Sequence, residues 1–291
     1  MVNYNGKDLL QCALSSIIAK TKGLQYEIVL VDNGSIDGSA EFVKKAYPQV
    51  HLICNRQNLG YAKANNQGIR ACDADNYLLL NTDIEVFTDG WLARLHKILE
   101  SDETIGIVTC NQPRSKEKVI ETNGPPYEVD FAAGSVLLIK KKTIENIGLL
   151  DEIFTPCLFE DTDWCHRAIS SGWKILYDPS TIVIHYGEVT TKRTFAEIPR
   201  FFGIFVRNRI MYETMNHDLD QIPEDLIGEL LTLGGALFKG DRKNRIWKLR
   251  CLWQAYVSVL RRSRRLLSGR QARRRIVNPF KDSAHACSEN S

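Results

Sequence analysis

The sequence predicts an α/β fold in which a mostly parallel central sheet is flanked by helices and followed by a C-terminal helical extension. Three observations carry that expectation. Short apolar, β-rich runs alternate with helical patterns through the first half of the chain. Two of those runs end in polar clusters, Asp32-Asn33-Gly34-Ser35 and Asn81-Thr82-Asp83, of the kind that close a strand and open a turn or helix. From about Phe195 onward the pattern is helical alone, and it becomes strongly basic.

In chain order, residues 27–31 (Glu-Ile-Val-Leu-Val) read as a buried strand, because a continuous apolar run has no solvent face. Residues 39–46 read as a helix and 50–53 as a second strand. A helix over 61–71, a strand over 77–80, a helix over 91–99 and a strand over 105–108 complete the alternating half. Residues 131–139 form a further strand, an acidic cluster opens a helix near 160, and 182–185 form the last strand. Ligands of such sheets bind beyond the carboxyl ends of the strands, where Asp32 and Asn81-Thr82-Asp83 both fall. The expected organisation is an α/β body over 1–200, a basic amphipathic helical extension over 201–275, and a polar disordered tail over 276–291.

Composition narrows the class. Of 291 residues 44% are apolar and 25% charged, which is ordinary for a folded protein with a sizeable core. The eight cysteines are scattered without a Cys-x-x-Cys pair or zinc-ligand spacing, so reduced thiols are expected rather than a disulfide framework. No leader-like pattern opens the sequence, and no apolar run approaches the roughly 20 residues that span a bilayer. The net charge of +3 conceals an asymmetry: residues 239–275 hold fourteen Lys or Arg against Asp241 alone, so the rest of the chain is acidic. A basic segment on an acidic body points to an anionic partner for that segment.

The densest chemical signal is Glu160-Asp161-Thr162-Asp163-Trp164-Cys165-His166-Arg167. Three carboxylates within four residues repel one another and require something that offsets the cost. One of them could serve as a general base on a hydroxyl; the plainer alternative is a helix start with Asp161 as cap and Asp163 favouring the dipole. Asp32, after a buried strand, could accept hydrogen bonds from a base or ribose, or simply cap a helix. Asp83 could hold a divalent ion between two phosphates, or belong to a polar turn. His185 could be a metal ligand or a structural histidine. Asp151 and Trp164 read as mainly structural.

Taken together and in order, these segments resemble glycosyltransferase family 2, the nucleotide-sugar-dependent transferases of GT-A fold. Val2-Asn3-Tyr4-Asn5-Gly6 is similar to the family's first strand and turn, and Val31-Asp32-Asn33-Gly34-Ser35-Ile36-Asp37-Gly38-Ser39 to its nucleotide-binding segment. Residues 58–68 (Asn-Leu-Gly-Tyr-Ala-Lys-Ala-Asn-Asn-Gln-Gly) resemble the branch that includes rhamnosyltransferases. Asn81-Thr82-Asp83 stands at the metal-binding Asp-x-Asp, followed by Ala133-Gly134-Ser135, the acidic cluster and His185-x-Gly187. The resemblance covers roughly residues 1–210.

The resemblance implies an inverting transfer of a sugar, such as the deoxyhexose rhamnose, from a nucleoside diphosphate (dTDP or UDP) to a hydroxyl. The acceptor would be a saccharide or lipid-linked saccharide in cell-surface polysaccharide synthesis. Asp161 would be the catalytic base, crowded by Glu160 and Asp163, with a pairing of Asp163 to Arg167 one turn on as the alternative role for Asp163. Asp83, with His185 as a second ligand, would hold Mg²⁺ or Mn²⁺. Asp32, Asn3 and Asn5 would meet the base, while Asn58, Gly60, Ala64, Asn65 and Asn81 would shape the nucleotide pocket. Gly134 and Ser135 would lie on the acceptor side with Glu160, Asp163 and Arg167 in support, and Lys192 and Arg193 would close over the diphosphate. Two departures are visible. The first metal-motif position is Asn81, as in the rhamnosyltransferase-like branch, and the chain opens about five residues into the family's first strand. A shortened strand implies either a later start than the gene's own or a less stable domain.

The C-terminal segment mixes Trp247, Trp253, Tyr256 and leucines with arginines, which suits a helix lying in an anionic bilayer interface. The expected placement is cytoplasmic, peripheral on the inner face of the cell membrane. Two other readings stay open: a nucleotide-sugar-binding scaffold without turnover, and a nucleic-acid-binding protein using the basic segment, which the acidic body opposes, so that no nucleic-acid partner is expected. A dehydrogenase is disfavoured, because no Gly-x-Gly-x-x-Gly follows the first strand.

Overall fold

A computed structural model describes residues 1–187, 198–216, 253–254, 257–262 and 266–269. The chain divides into two compact units, Met1–Thr194 and Phe195–Ser291. In the first, β1 (Val2–Asn3), β2 (Val29–Asp32) and β3 (His51–Cys54) form a parallel sheet in that spatial order. A second sheet runs β4 (Asn76–Leu80), β8 (Val136–Lys140), β6 (Ile105–Asn111), β9 (Lys174–His185), β5 (Ile84–Val86), with β7 (Tyr127–Glu128) beside β9. β6 and β9 are parallel, whereas β4–β8, β6–β8, β5–β9 and β7–β9 are antiparallel. A single parallel bridge, Val2 to Asn81, joins β1 to the chain just after β4.

Side-chain alternation along the strands builds a three-layer body, since successive residues of a strand face opposite sides. Leu80, Val108 and Leu138 pack with Ala13 and Ile17 of α1 (Lys7–Lys20) and with Trp91, Leu95 and Leu99 of α4 (Trp91–Leu99). Their neighbours Leu79, Ile107 and Leu137 face the other way. There they meet Ala62 of α3 (Tyr61–Arg70), Ile144 and Ile147 of α5 (Lys141–Ile147), and Trp164, Cys165 and Ala168 of α6 (Glu160–Ser170). A smaller core joins Leu10 and Leu14 of α1 to Leu30 and to Val43 of α2 (Ser39–Ala46). Each such buried Leu or Ile side chain contributes about 1.5–3 kcal/mol. The buried stripe Leu10, Ala13, Leu14, Ile17 has the spacing of one helical face, which is why residues 7–20 coil.

The sequence-based strands at 27–31, 50–53, 77–80 and 105–108 appear close to their expected places. Two others differ. β8 begins at Val136 rather than 131, because both backbone groups of Gly134 bond to side chains instead of a neighbouring strand. β9 starts at Lys174, well before residue 182, and runs through Asp178-Pro179. Buried Asp178 is satisfied there by Arg94 Nε at 2.7 Å and Thr181 Oγ1 at 2.6 Å, so this polar interruption does not end the strand. In the second unit α7 spans Ile198–Asn216. Lys192, Arg193, most of the 201–275 extension and the 276–291 tail lie outside the described residues.

Behind β1 lies an apolar slot of about 270 Å³, lined among others by Met1, Val29, Ile69, Tyr77, Leu79 and Trp91. The Met1 amino group donates to Val29 O at 2.8 Å, and burial draws its ammonium pKa down to about 6. Continuing the β1 register backwards would bring added residues between 26–29 and 76–79. An engineered extension of about four apolar residues fused to Met1 is therefore expected to raise the melting temperature by roughly 5 °C, since it fills the slot and removes a buried terminal amine. Thermal denaturation followed by circular dichroism measures this, and an unchanged midpoint would show that the slot does not accept a strand.

Candidate active site

The carboxyl ends of β1, β2 and β4, the start of α3 and the start of α6 converge on one region. At the β1–β2 end, Asp32 is buried and both its oxygens are engaged: Oδ2 accepts from Asn3 Nδ2 at 2.9 Å and Oδ1 from Ser35 N at 2.9 Å. Ser35 Oγ accepts from Asn5 N at 2.9 Å, and Asn5 Oδ1 accepts from Ile36 N at 2.9 Å. Asn3, Asn5 and Asp32 thus form one polar rim that binds the first turn to the second. Asn3 Oδ1 is buried without a hydrogen-bond partner. A side chain at Gly6 would come within 2.7 Å of that oxygen, so a larger residue there would force Asn3 to move.

Asn58 and Gly60 shape the entry to α3. Asn58 Oδ1 accepts from Gly60 N at 2.9 Å and from Asn33 Nδ2 at 3.0 Å. Gly60 has φ +90°, and a side chain there would meet Thr155 Oγ1 at 2.6 Å and Pro156 O at 3.1 Å. Its conformation and its close neighbours therefore both require glycine. Ala64 is buried within α3, and Asn65 bonds back to Tyr61 O at 3.0 Å while lining the slot behind β1.

After β4, Asn81 Nδ2 stands 3.3 Å from His185 Nε2, and Asp83 Oδ1 lies 3.3 Å from the same nitrogen. The pairing of β5 with β9 sets His185 opposite Ile84 and so brings the imidazole to the Asp83 turn. Among the described residues no three His, Cys, Asp or Glu side chains gather as a metal cluster. Asp83 and His185 are the two groups here that could ligate an ion. Adjacent ligands of a six-coordinate Mg²⁺-sized ion stand about 3 Å apart, so their spacing is compatible with a divalent ion whose remaining ligands would come from elsewhere.

The acidic cluster opens α6 as expected, and the chain enters it through two consecutive non-glycine residues in the left-handed region, Leu158 (φ 81°) and Phe159 (φ 73°). Such a turn is strained and persists only where its surroundings hold it. Asp161 Oδ2 accepts from Gly134 N at 3.0 Å and Oδ1 from Thr162 N at 2.8 Å. Burial pushes the Asp161 pKa above the ordinary carboxylate value, while these N–H donors pull it partly back. Glu160 is raised much further, by burial first and by the Asp161 charge second, and its Oε2 is buried without a partner. Asp163 is fully buried and pairs with Arg167 Nε at 2.9 Å, and Arg167 also donates to the Ile147 and Leu149 carbonyls. Ser135 turns inward, its hydroxyl on Gln112 Oε1, and its carbonyl accepts from Asn81 N at 3.1 Å.

One residue outside the sequence-predicted set sits among these groups. The Tyr61 hydroxyl donates to Gly134 O at 2.7 Å and lies 3.1 Å from Asn81 Oδ1. An aromatic residue at a helix start carries no polar signal in the sequence, and only the fold exposes its hydroxyl contacts.

The family model of "Glycosyl transferase family 2" matches residues 1–156. The chain belongs to glycosyltransferase family 2. Among characterised relatives it is 26% identical over 234 residues to the dTDP-rhamnosyl transferase RfbF of Shigella flexneri, covering 70% of this chain and 76% of that protein. It is 27% identical over 198 residues to the poly-beta-1,6-N-acetyl-D-glucosamine synthase of Staphylococcus aureus, covering 60% of this chain but only 46% of the synthase. The structure superposes on the mannosyltransferase PcManGT of Pyrobaculum calidifontis, solved with GDP-Man and Mn²⁺, with a TM-score of 0.56 and 17% identity. That match covers 95% of this chain and 84% of the other. It shows the GT-A fold that the strand order and the position of the site anticipate.

The electrostatics of this family 2 transferase give a test of the acidic cluster. A raised Glu160 pKa means that folding favours the neutral acid. Stability therefore falls as pH rises from the ordinary value near 4.5 through the folded pKa, and changes no further above it. Asp161 acts in the same sense. Glu160→Gln is expected to flatten the decline in melting temperature as pH rises above the ordinary carboxylate value near 4.5. Parallel wild-type and variant curves would show that Glu160 folds ionised.

Proposed function

We propose that the protein transfers a sugar, with inversion, from a nucleoside diphosphate donor to a hydroxyl of a saccharide or lipid-linked saccharide. A dTDP-linked deoxyhexose such as rhamnose is the preferred donor, because RfbF carries that activity in its name and the match spans most of both chains; a UDP-sugar is the other candidate. The observation that carries this reading is the placement of Asp161. Its carboxylate is oriented by two backbone N–H groups and tuned upward by burial, and it is linked through Gly134 and Tyr61 to the Asn81–Asp83 turn.

Asp161 takes the proton of the acceptor hydroxyl as that oxygen attacks the anomeric carbon. The bond from the anomeric carbon to the diphosphate breaks, and the leaving group departs with its electron pair from the opposite face. Asn3, Asn5 and Asp32 line the end where the nucleobase binds, and Gly60 and Asn58 keep the α3 entry close to it. Asp83 and His185 would hold Mg²⁺ or Mn²⁺, which neutralises charge on the leaving diphosphate. Asp163 and Arg167 fix α6 beneath the base. The second unit would bring the enzyme to an anionic membrane surface on the cytoplasmic side. Among its described residues Trp253, Leu260 and Leu267 are exposed and recur every seven positions, in a segment rich in arginine. No described helix is long and apolar enough to cross a membrane.

Thermal stability against a panel of nucleoside diphosphates and their sugars, with and without Mn²⁺, names the donor, because a ligand of the folded state raises its apparent stability. Asp161→Asn is expected to keep donor binding and lower transfer by about 10²–10⁴-fold; transfer at the wild-type rate would remove Asp161 from the base role. Asp83→Ala is expected to weaken Mn²⁺-dependent nucleotide binding by about tenfold or more. Unchanged metal dependence in calorimetric titrations would assign the ion elsewhere.

A further inference from the structure

We propose that Tyr61 is a positioning residue that holds the base Asp161 in register with the Asn81–Asp83 turn. This rests on the transferase reading above and adds to it the element that couples its two halves. The hydroxyl has one proton and two acceptors in reach, Gly134 O at 2.7 Å and Asn81 Oδ1 at 3.1 Å, so it bridges the two. The same Asn81 side chain turns its Nδ2 to His185 Nε2 at 3.3 Å, and that nitrogen is 3.3 Å from Asp83 Oδ1. On its other side Gly134 donates its N–H to Asp161 at 3.0 Å. Polar contacts therefore run from the Asn81–Asp83 turn through Tyr61 and Gly134 to Asp161, and Tyr61 spans the gap between the β4 turn and the residue that grips the base.

Three further facts show that the arrangement is built. Tyr61 N donates to Pro156 O at 2.7 Å, so the backbone at the start of α3 is anchored to the loop that leads into α6. A side chain at Gly134 would come within 3.0 Å of the Tyr61 hydroxyl and 3.5 Å of Asp161 Cβ, so residue 134 is clamped between them. Burial and the charges of Glu160, Asp161 and Asp83 also keep the phenol protonated and thus a donor. A tyrosine that merely filled space would need no hydroxyl contact to Gly134 or Asn81, and phenylalanine would serve equally.

The test is Tyr61→Phe in the full chain, which retains the ring and removes only the hydroxyl. Expected are a donor dissociation constant within about twofold of wild type and a kcat reduced about tenfold or more. Loss of a well-placed Gly134 N–H also raises the Asp161 pKa, so the acid limb of kcat should move to higher pH. The groups facing Asp161 are Glu160, Thr162, Asp163 and Cys165 on its own helix, Tyr61 from α3, and Gly134 ahead of β8. All but Tyr61 are unchanged in the variant. Carboxyl ¹³C titration of Asp161 reads the same shift without turnover, so it decides the positioning role even if no donor in the panel is transferred. Failure of wild-type transfer would count against the transferase reading alone. Wild-type kcat together with an unmoved Asp161 titration would overturn the proposal. As a second variant, Gly134→Ala should impair transfer by pressing on the hydroxyl, and the double variant should be no worse than Tyr61→Phe alone. Additive losses in that cycle would mean the two residues act independently and would equally overturn it.

Discussion

The buried pair between Asp163 and Arg167 carries the geometry of the acidic face of the site. Three carboxylates open α6 within four residues, and Arg167 neutralises the innermost while tying the helix to the Ile147 and Leu149 carbonyls. An ion pair taken out of water contributes little net stability by itself, but removing one partner typically costs about 3–5 kcal/mol, because a bare charge is left inside. The pair therefore acts as a fixture. It orients α6 so that Asp161 meets Gly134 while Glu160 turns into the protein. The left-handed residues Leu158 and Phe159 can be held in their strained turn because the helix they enter is anchored one turn later.

Around that fixture, residues that resemble one motif divide into different physical tasks. Asn33, Asn55, Asn58 and Gln67 bond mainly to one another and to the backbone, fixing the passage from β2 and β3 into α3. Asn81, Asp83 and His185 instead present polar atoms to a shared space. Ser135 looks like a site residue in sequence, yet its side chain is spent on Gln112 and its carbonyl on the Asn81 backbone. It braces the β4 turn from below.

Much of the fold was legible because buried strands announce themselves as continuous apolar runs, as at residues 28–31 and 105–108. The interior reach of β9 was not, because Asp178 and Pro179 look like a break until Arg94, distant in sequence, supplies the partner. β5 is three residues long and leaves no periodic trace. In the site, carboxylates and glycines stood out by type and spacing, so Asp32, Asp83, Asp161, Gly60 and Gly134 were foreseeable. Tyr61 was hidden, since its aromatic ring reads as core and its hydroxyl acquires meaning only from residues 20 and 73 positions away.

The two sheets of the first unit meet at a single backbone bridge, Val2 to Asn81, beside an open slot. Elsewhere along the seam side chains take over, with Leu10 and Leu14 of α1 packed on the first sheet and Ala13 and Ile17 on the second. On the proposed reading, a nucleotide lying from Asp32 across to Asp83 would span that seam at its polar end and add a further link. Donor binding would then do two jobs at once: deliver the sugar, and cross-link the two halves of the body. Substrate would be part of the scaffold for as long as it is bound.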